Sequence, residues 1–250
     1  SDIPILITGE SGTGKELLAK GIHLISNRRD QIYTPVNMAA INTGLFDAEF
    51  LGHTKGAFTG ATRDRKGYLD QTHKGTLFMD EIGSTPIEFQ SKLLRILQEG
   101  EYLKLGTSQP KKVNIRYISA TNMDLKTLML QGKIRKDFFY RLKGAWLNLP
   151  PLRERQKDIV LLSKCFLKEF SGSSDPLTLD DSVFSVLMEY QFPGNIRELR
   201  SIIQFASNLV QGTVVTVDCL PEHLRKISTN RSKKLPKFSN LRQVPLNSCK

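Results

Sequence analysis

The chain opens on a short apolar block, Ile3–Thr8, rich in β-branched residues and bounded by polar ones, which predicts a buried strand. After a glycine-rich break, Leu17, Leu18, Gly21, Ile22 and Ile25 recur at helical spacing and predict a helix with that stripe turned inward. Thr76–Met79 and Asn114–Asn122 predict two more buried strands, the first running into Asp80 and Glu81 and the second ending on an amide. Strands alternate with helices to about Leu149, the signature of an α/β unit with a mainly parallel sheet covered on both faces. Leu149–Ile159 is a proline-rich hinge, and beyond it three helical patterns follow. Ile159–Phe170 carries Leu161, Leu162, Phe166 and Phe170, and Asp181–Tyr190 carries Val183, Val186, Leu187 and Tyr190. Ile196–Leu209 carries Ile196, Leu199, Ile203 and Ala206; Pro193-Gly194 breaks the chain before it and Asn195 is placed to cap it. Ser171–Pro176 is expected to be a loop. The pattern divides the chain into an α/β domain over residues 1–150, a small helical subdomain over 151–227, and a flexible basic tail or linker over 228–250 with no sustained hydrophobic period.

Composition narrows this picture without redirecting it. The 250 residues are 39% hydrophobic and 24% charged, ordinary for a soluble globular chain. No apolar run is long enough to cross a membrane, and Ser1-Asp2-Ile3-Pro4 has no signal-peptide character. Three widely spaced cysteines argue against a disulfide framework or a zinc site, and four scattered histidines show no metal spacing. A cytoplasmic protein is expected. The net charge of +11 is uneven: from Pro221 onward there are eight bases and one acid, Glu222. Such a tail suits nucleic acid, and a solvated linker slightly better.

Chemistry enters through the breaks between elements. Gly9-Glu10-Ser11-Gly12-Thr13-Gly14-Lys15 follows the first strand and precedes a helix, the setting of a phosphate-binding loop. Its glycines permit close backbone approach, its successive amides form an anion nest, and Lys15 reaches the β- and γ-phosphates. Glu16 stands where a hydroxyl commonly helps to hold magnesium, which by itself weakens that contact. Asp80 and Glu81, at the end of a strand, lie at the ligand edge of a parallel sheet. There Asp80 would hold Mg2+ and Glu81 would polarise the attacking water. Together these motifs point to ATP hydrolysis. Asn122 suits either a contact to that water or γ-phosphate, or a simple turn. Arg135 and Arg141 are six apart, which is not one helical face, so they suit two different contacts. Arg197 sits in the first turn of a helix, against the dipole preference, where it could face a phosphate or be an ordinary exposed arginine.

One stretch remains, Gly52–Arg63, which places Phe58 among small residues that neither a core nor a plain surface loop calls for. GESGTGKE, GHTKGAFTGA, GTLFMDEIG, IRKDFFYRL, LPPLRER and PGNIREL occur in this order in one family. From about Ile3 to Leu224 the chain resembles the central AAA+ domain of bacterial enhancer-binding proteins, the ATP-driven activators of sigma-54 RNA polymerase. The resemblance implies an AAA+ P-loop fold with a helical lid, ATP and Mg2+ as ligands, and a ring, expected to be a hexamer. It implies that Glu16 is the usual residue at its position, that Asn37 pairs with Glu81, and that Asn122 and Arg197 are sensors on sheet and lid. Arg135 and Arg141 match arginine fingers that act in the neighbouring subunit. Gly56, Ala57, Phe58, Thr59, Gly60 and Ala61 match the loop tip that touches sigma-54, raised when ATP is bound, with a second loop near Glu101–Pro110 moving alongside. Promoter or enhancer DNA would be engaged through regions partly outside this chain. A different AAA+ motor, working on another protein or nucleic-acid client, is the alternative.

Overall fold

The computed structural model describes residues 2–171 and 176–229. The loop expected within Ser171–Pro176 and the tail expected from 228 therefore fall largely outside the described residues. The chain separates into two compact units: Ser1–Glu10 with Gly14–Leu149, and Ser11–Thr13 with the chain from Pro150 onward.

The first unit is built on a five-stranded sheet. Its strands are β1 (Ile5–Thr8), β2 (Tyr33–Asn37), β5 (Thr76–Asp80), β8 (Arg116–Thr121) and β9 (Ala145–Asn148), all paired in parallel in the order β2-β5-β8-β1-β9. Between them lie the two-residue strands β3 (Gly52–His53) and β4 (Arg65–Lys66) and the hairpin of β6 (Glu101–Leu103) with β7 (Pro110–Lys112). Helices α1 (Lys15–Leu24), α2 (Phe46–Leu51), α3 (Tyr68–Gln71), α4 (Ile87–Glu99), α5 (Leu125–Leu130) and α6 (Lys136–Leu142) complete it. β5 and β8 are buried along nearly their whole length, as interior strands of a parallel sheet covered on both faces must be, although β8 carries Arg116, Ser119 and Thr121 inward. β2 contains Pro35, which lacks the ladder N–H and is tolerated because β2 is an edge strand.

Helix α1 departs from the sequence expectation. Its buried residues are Lys15, Ala19 and His23, with Leu18 and Ile22 packed partly against Ile7, Phe78 and Ile118. Leu17 and Ile25 instead stand 72% and 87% exposed. The inward face is rotated by about one residue because Ala19 lets the helix approach the sheet closely and His23 is drawn in by a 3.0 Å hydrogen bond with Thr76 Oγ1. Burial, and then the charge of Arg116, hold the His23 imidazole below its usual pKa.

The second unit packs α7 (Gln156–Phe170), α8 (Asp181–Glu189), α9 (Asn195–Leu209) and α10 (Glu222–Thr229) around Ile159, Leu167, Val183, Val186, Leu187, Leu199, Ile202, Ile203 and Ala206. Of the stripes expected on α8 and α9, Val183, Val186, Leu187, Leu199, Ile203 and Ala206 are buried while Tyr190 and Ile196 are half-buried; on α7, Ile159, Ser163 and Leu167 are the residues that reach the interior. Asn195 is not the cap. Gly194 holds that position, its N–H accepted by the Glu198 carboxylate at 2.7 Å, while Asn195 is left-handed at φ 51° and fully buried.

Candidate functional site

Parallel pairing brings the polar strand ends to one edge. Asn37 is in register with Asp80, and Thr8 with Thr121, so the residues following β1, β2, β5 and β8 emerge together. These are Gly9, Asp80, Glu81 and Asn122, with Asn37 at the end of β2. Three glycines of the loop have positive φ: Gly9 at 151°, Gly12 at 75° and Gly14 at 98°. A side chain rarely adopts these angles, so the glycines permit the successive turns of a nest. Gly14 directly precedes α1 and its carbonyl accepts the Leu18 N–H, so the loop runs into a helix N-terminus, which favours anions. The Lys15 ammonium, buried, donates to the carbonyls of Gly9 at 2.9 Å and Glu10 at 3.0 Å, which folds it back over the loop. Glu16 follows in the first turn of α1, a favourable place for an acid.

Asp80 ends β5, and its carboxylate accepts the Glu81 N–H at 2.9 Å. Glu81 is held left-handed at φ 53° and ψ 45°, an uncommon conformation for a residue with a side chain. The turn after it is tight: a Cβ on Gly83 would press on Met123, Leu128 and Thr121. Asn37 does not meet Glu81 here; its Oδ1 accepts the Ala39 N–H at 2.9 Å and caps the turn after β2. Asn122 is exposed immediately beyond β8.

Arg135 and Arg141 make two different contacts, as their spacing led one to expect. Arg135 precedes α6 and so escapes the helical step; its guanidinium bonds Ser91 Oγ at 3.1 Å and forks onto Asp137 at 3.1 and 2.7 Å. Arg141 donates twice to the Leu97 carbonyl, at 3.0 and 2.6 Å. Both therefore lean on α4, one near each end.

In the second unit, the loop tip Ser11–Thr13 is enclosed by residues of α9 and the segment before α7. Arg197 donates to Ser11 Oγ at 3.3 Å. Asn195 donates to the Ser11 carbonyl and accepts from Leu152, and Arg155 donates to the Thr13 carbonyl. Neither Asn195 nor Arg155 was marked by the sequence as touching this loop; Asn195 read as a cap, and nothing in local spacing signals a partner so far along the chain.

The segment Gly52–Lys66 lies between α2 and α3. Gly52 and Gly67 pinch its base: a Cβ on either would collide with backbone of the other strand. At its tip Gly56 and Gly60 are left-handed, at φ 81° and 99°, with open space around them, so it is conformation and not crowding that requires glycine there. The Gly56 N–H donates to the Ala61 carbonyl at 2.8 Å and closes the tip. Phe58 is 42% exposed and rests edge-on against His53, ring centres 4.9 Å apart. The β6–β7 hairpin clasps this loop. Leu105 donates to Gly52 and accepts from Thr54, and a Cβ on Gly106 would strike Thr54 and Ala57. Asp70 of α3 joins the two pieces from below, bonding Tyr102 Oη at 2.6 Å, Lys111, and Lys104 at 3.6 Å. Burial pushes the Asp70 carboxyl up, but the bonds from Lys111 and Tyr102 and the charges of Lys111 and Lys104 outweigh it and hold it below the usual carboxylate range.

Residues 1–148 match the family described as "Sigma-54 interaction domain" and residues 153–237 the "AAA+ ATPase lid domain". The chain is 44% identical over 225 residues to the DNA-binding transcriptional regulator NtrC of Azospirillum brasilense, covering 90% of this chain and 47% of that protein. It is 45% identical to the regulatory protein AtoC of Escherichia coli, covering 90% and 50%. It is 44% identical to the Nif-specific regulatory protein of Rhizobium leguminosarum, covering 86% and 61%. The chain thus spans about half the length of the curated relatives it matches. Among solved structures, NtrX of Brucella abortus in complex with ADP superposes with a TM-score of 0.81 at 30% identity, over 96% of this chain and 53% of that one. Hsp104 bound to ATPγS and casein is similar in fold, with a TM-score of 0.60 at 18% identity, over 82% of this chain and 39% of that one.

Proposed function

Because the chain belongs to the sigma-54 interaction-domain family of AAA+ proteins, we propose that it is an ATP-hydrolysing activator that remodels the closed promoter complex of sigma-54 RNA polymerase. The observation that carries this reading is the presence, in the first unit, of the buried Lys15 and the acidic sheet edge Asp80-Glu81 together with an exposed Phe58 tip on a glycine-hinged loop. The first pair of features needs a nucleotide; the second needs a protein partner.

In this reading the amides of Gly9–Gly14 and the Lys15 ammonium take the phosphates, and Glu16 flanks them. Among the described residues no three His, Cys, Asp or Glu side chains converge as a resident metal cage. The donor set thus fits Mg2+ carried by the nucleotide, with Asp80 as the protein ligand. Bound Mg2+ would neutralise charge on the β- and γ-phosphates. Glu81, a carboxylate on a constrained turn beside Asp80, accepts the proton of the attacking water. Asn122 orients that water from the end of β8. Asn37, one strand over from Asp80, takes up Glu81 when it leaves the ground state and so reports the nucleotide to the loop side of the sheet. Arg197 senses the phosphates from the lid. Arg135 and Arg141 leave α4 to act as fingers in the site of a neighbouring subunit, which makes turnover depend on a ring, a hexamer in this proposal.

Gly56–Ala61 then contacts sigma-54, with Phe58 the apolar anchor that a small interface concentrates its affinity on. Promoter or enhancer DNA is engaged through further regions of the full-length protein, in the cytoplasm; no described helix is long and apolar enough to cross a membrane. The test separates the two halves. Thr59→Ala should keep ATP turnover and lose open-complex formation with sigma-54 polymerase; an active Thr59→Ala variant would remove the loop from the mechanism.

A further inference from the structure

Three consecutive carbonyl groups of the glycine-rich loop are held inside the helical unit. Asn195 Nδ2 donates to Ser11 at 3.0 Å, the Ile196 N–H donates to Gly12 at 2.9 Å, and Arg155 Nη2 donates to Thr13 at 3.2 Å. In a trans peptide the carbonyl and the following N–H point to opposite sides of the chain, and there is no cis peptide among the described residues. The N–H groups of Gly12, Thr13 and Gly14 are therefore turned away from these three donors. They are successive amides of the stretch that reads as a phosphate nest.

Asn195 is shaped for this role and for little else. It is fully buried, left-handed at φ 51°, and engaged at both ends of its amide. Its oxygen accepts the Leu152 N–H at 2.8 Å, which fixes the nitrogen as the donor to Ser11, since a backbone N–H and a carbonyl cannot exchange roles. A Cβ on Gly12 would land on the Gly194 carbonyl, so the approach is as close as two glycines allow. Arg155 is braced by Asp158 at 3.4 Å, which leaves its second nitrogen aimed at the loop.

We infer that Asn195 and Arg155 are positioning residues for the nucleotide phosphates: they anchor the carbonyl side of the loop tip so that its amide side is presented to a nucleoside di- or triphosphate. This rests on the nucleotide-hydrolysing reading above. It also assigns the first turn of α9 two tasks, since Ile196 holds the loop with its backbone while Arg197 approaches the same loop with its side chain.

The test is binding of N-methylanthraniloyl-ADP by fluorescence anisotropy, with unlabelled adenosine as a competitor. Asn195→Asp keeps the acceptor for Leu152 but sets an oxygen against the Ser11 carbonyl. It should weaken ADP at least about tenfold, the effect of a lost buried hydrogen bond, while competition by adenosine, which has no phosphate, is unchanged. Arg155→Leu should weaken ADP in the same selective way, and it is read separately should Asn195→Asp fail to fold. A folded variant that binds ADP within about twofold of the parent, or that loses ADP and adenosine equally, overturns the inference. A parent protein that binds no ADP overturns the nucleotide reading and this inference with it, so the two failures are distinct.

Discussion

Glu81 shows how a single residue couples backbone cost to chemistry. Its left-handed backbone costs about 1–2 kcal/mol for a side-chain-bearing residue, and its N–H is held by the Asp80 carboxylate. Glu81→Gly removes that cost while adding roughly 0.5–1 kcal/mol of unfolded-state entropy. Its thermal midpoint should lie at or above the parent's. Its ATP turnover should fall by at least about a hundredfold, as expected for loss of a general base. A variant that keeps turnover would show that Glu81 is not the base. The local placement of Lys15, Asp80 and Glu81 was legible because each is set by a neighbour only a few residues away. Asn195 was not, because its partners, Leu152 and Ser11, are set by packing and not by spacing. The separate contacts of Arg135 and Arg141 follow from a six-residue spacing that spans the start of α6, although the sequence does not name Ser91, Asp137 or Leu97 as their partners.

At the scale of elements, the loop carrying Phe58 and the β6–β7 hairpin behave as one mechanical piece. Backbone bonds tie Leu105 to Gly52 and Thr54, and Asp70 ties α3 to Tyr102, Lys104 and Lys111. Asp70→Asn keeps the shape but gives up the charge that both lysines answer. It should leave basal ATP turnover near the parent's and weaken sigma-54 engagement, measured side by side on the same preparation; unchanged engagement would mean the hairpin is not needed to hold the tip. Helix α1 carries a pH dependence of its own. Because burial holds His23 below the usual 6.5, the neutral form is the folded one, so its contribution is present above that value and is lost as pH falls below it. Melting at about pH 5.5 should be lower than at about pH 7.5, and His23→Gln should remove part of that difference; an identical slope in the variant would assign it elsewhere. The strands β5 and β8 and the helices α8 and α9 were readable from period alone, since burial on both faces or one stripe leaves a clean pattern. β2 was hidden by Pro35, and the face of α1 by a small residue and a histidine that the hydrophobic count does not weigh.

At the scale of the whole molecule, the proposal requires subunits to complete one another. Arg135 and Arg141 are occupied by Asp137, Ser91 and Leu97 in the single chain, so they serve a neighbour only by giving up those bonds. Specific ATPase activity should therefore rise with protein concentration. Arg141→Ala should bind ADP normally yet stay slow at every concentration; a concentration-independent rate in the parent would contradict action in trans. The measurement that bears most directly on the central claim is gel filtration of this protein with purified sigma-54 in the presence of ADP and aluminium fluoride. Co-elution in a single large assembly is expected, forming only with both additives and lost in Thr59→Ala. Protein that assembles and hydrolyses ATP yet elutes apart from sigma-54 under those conditions would contradict it.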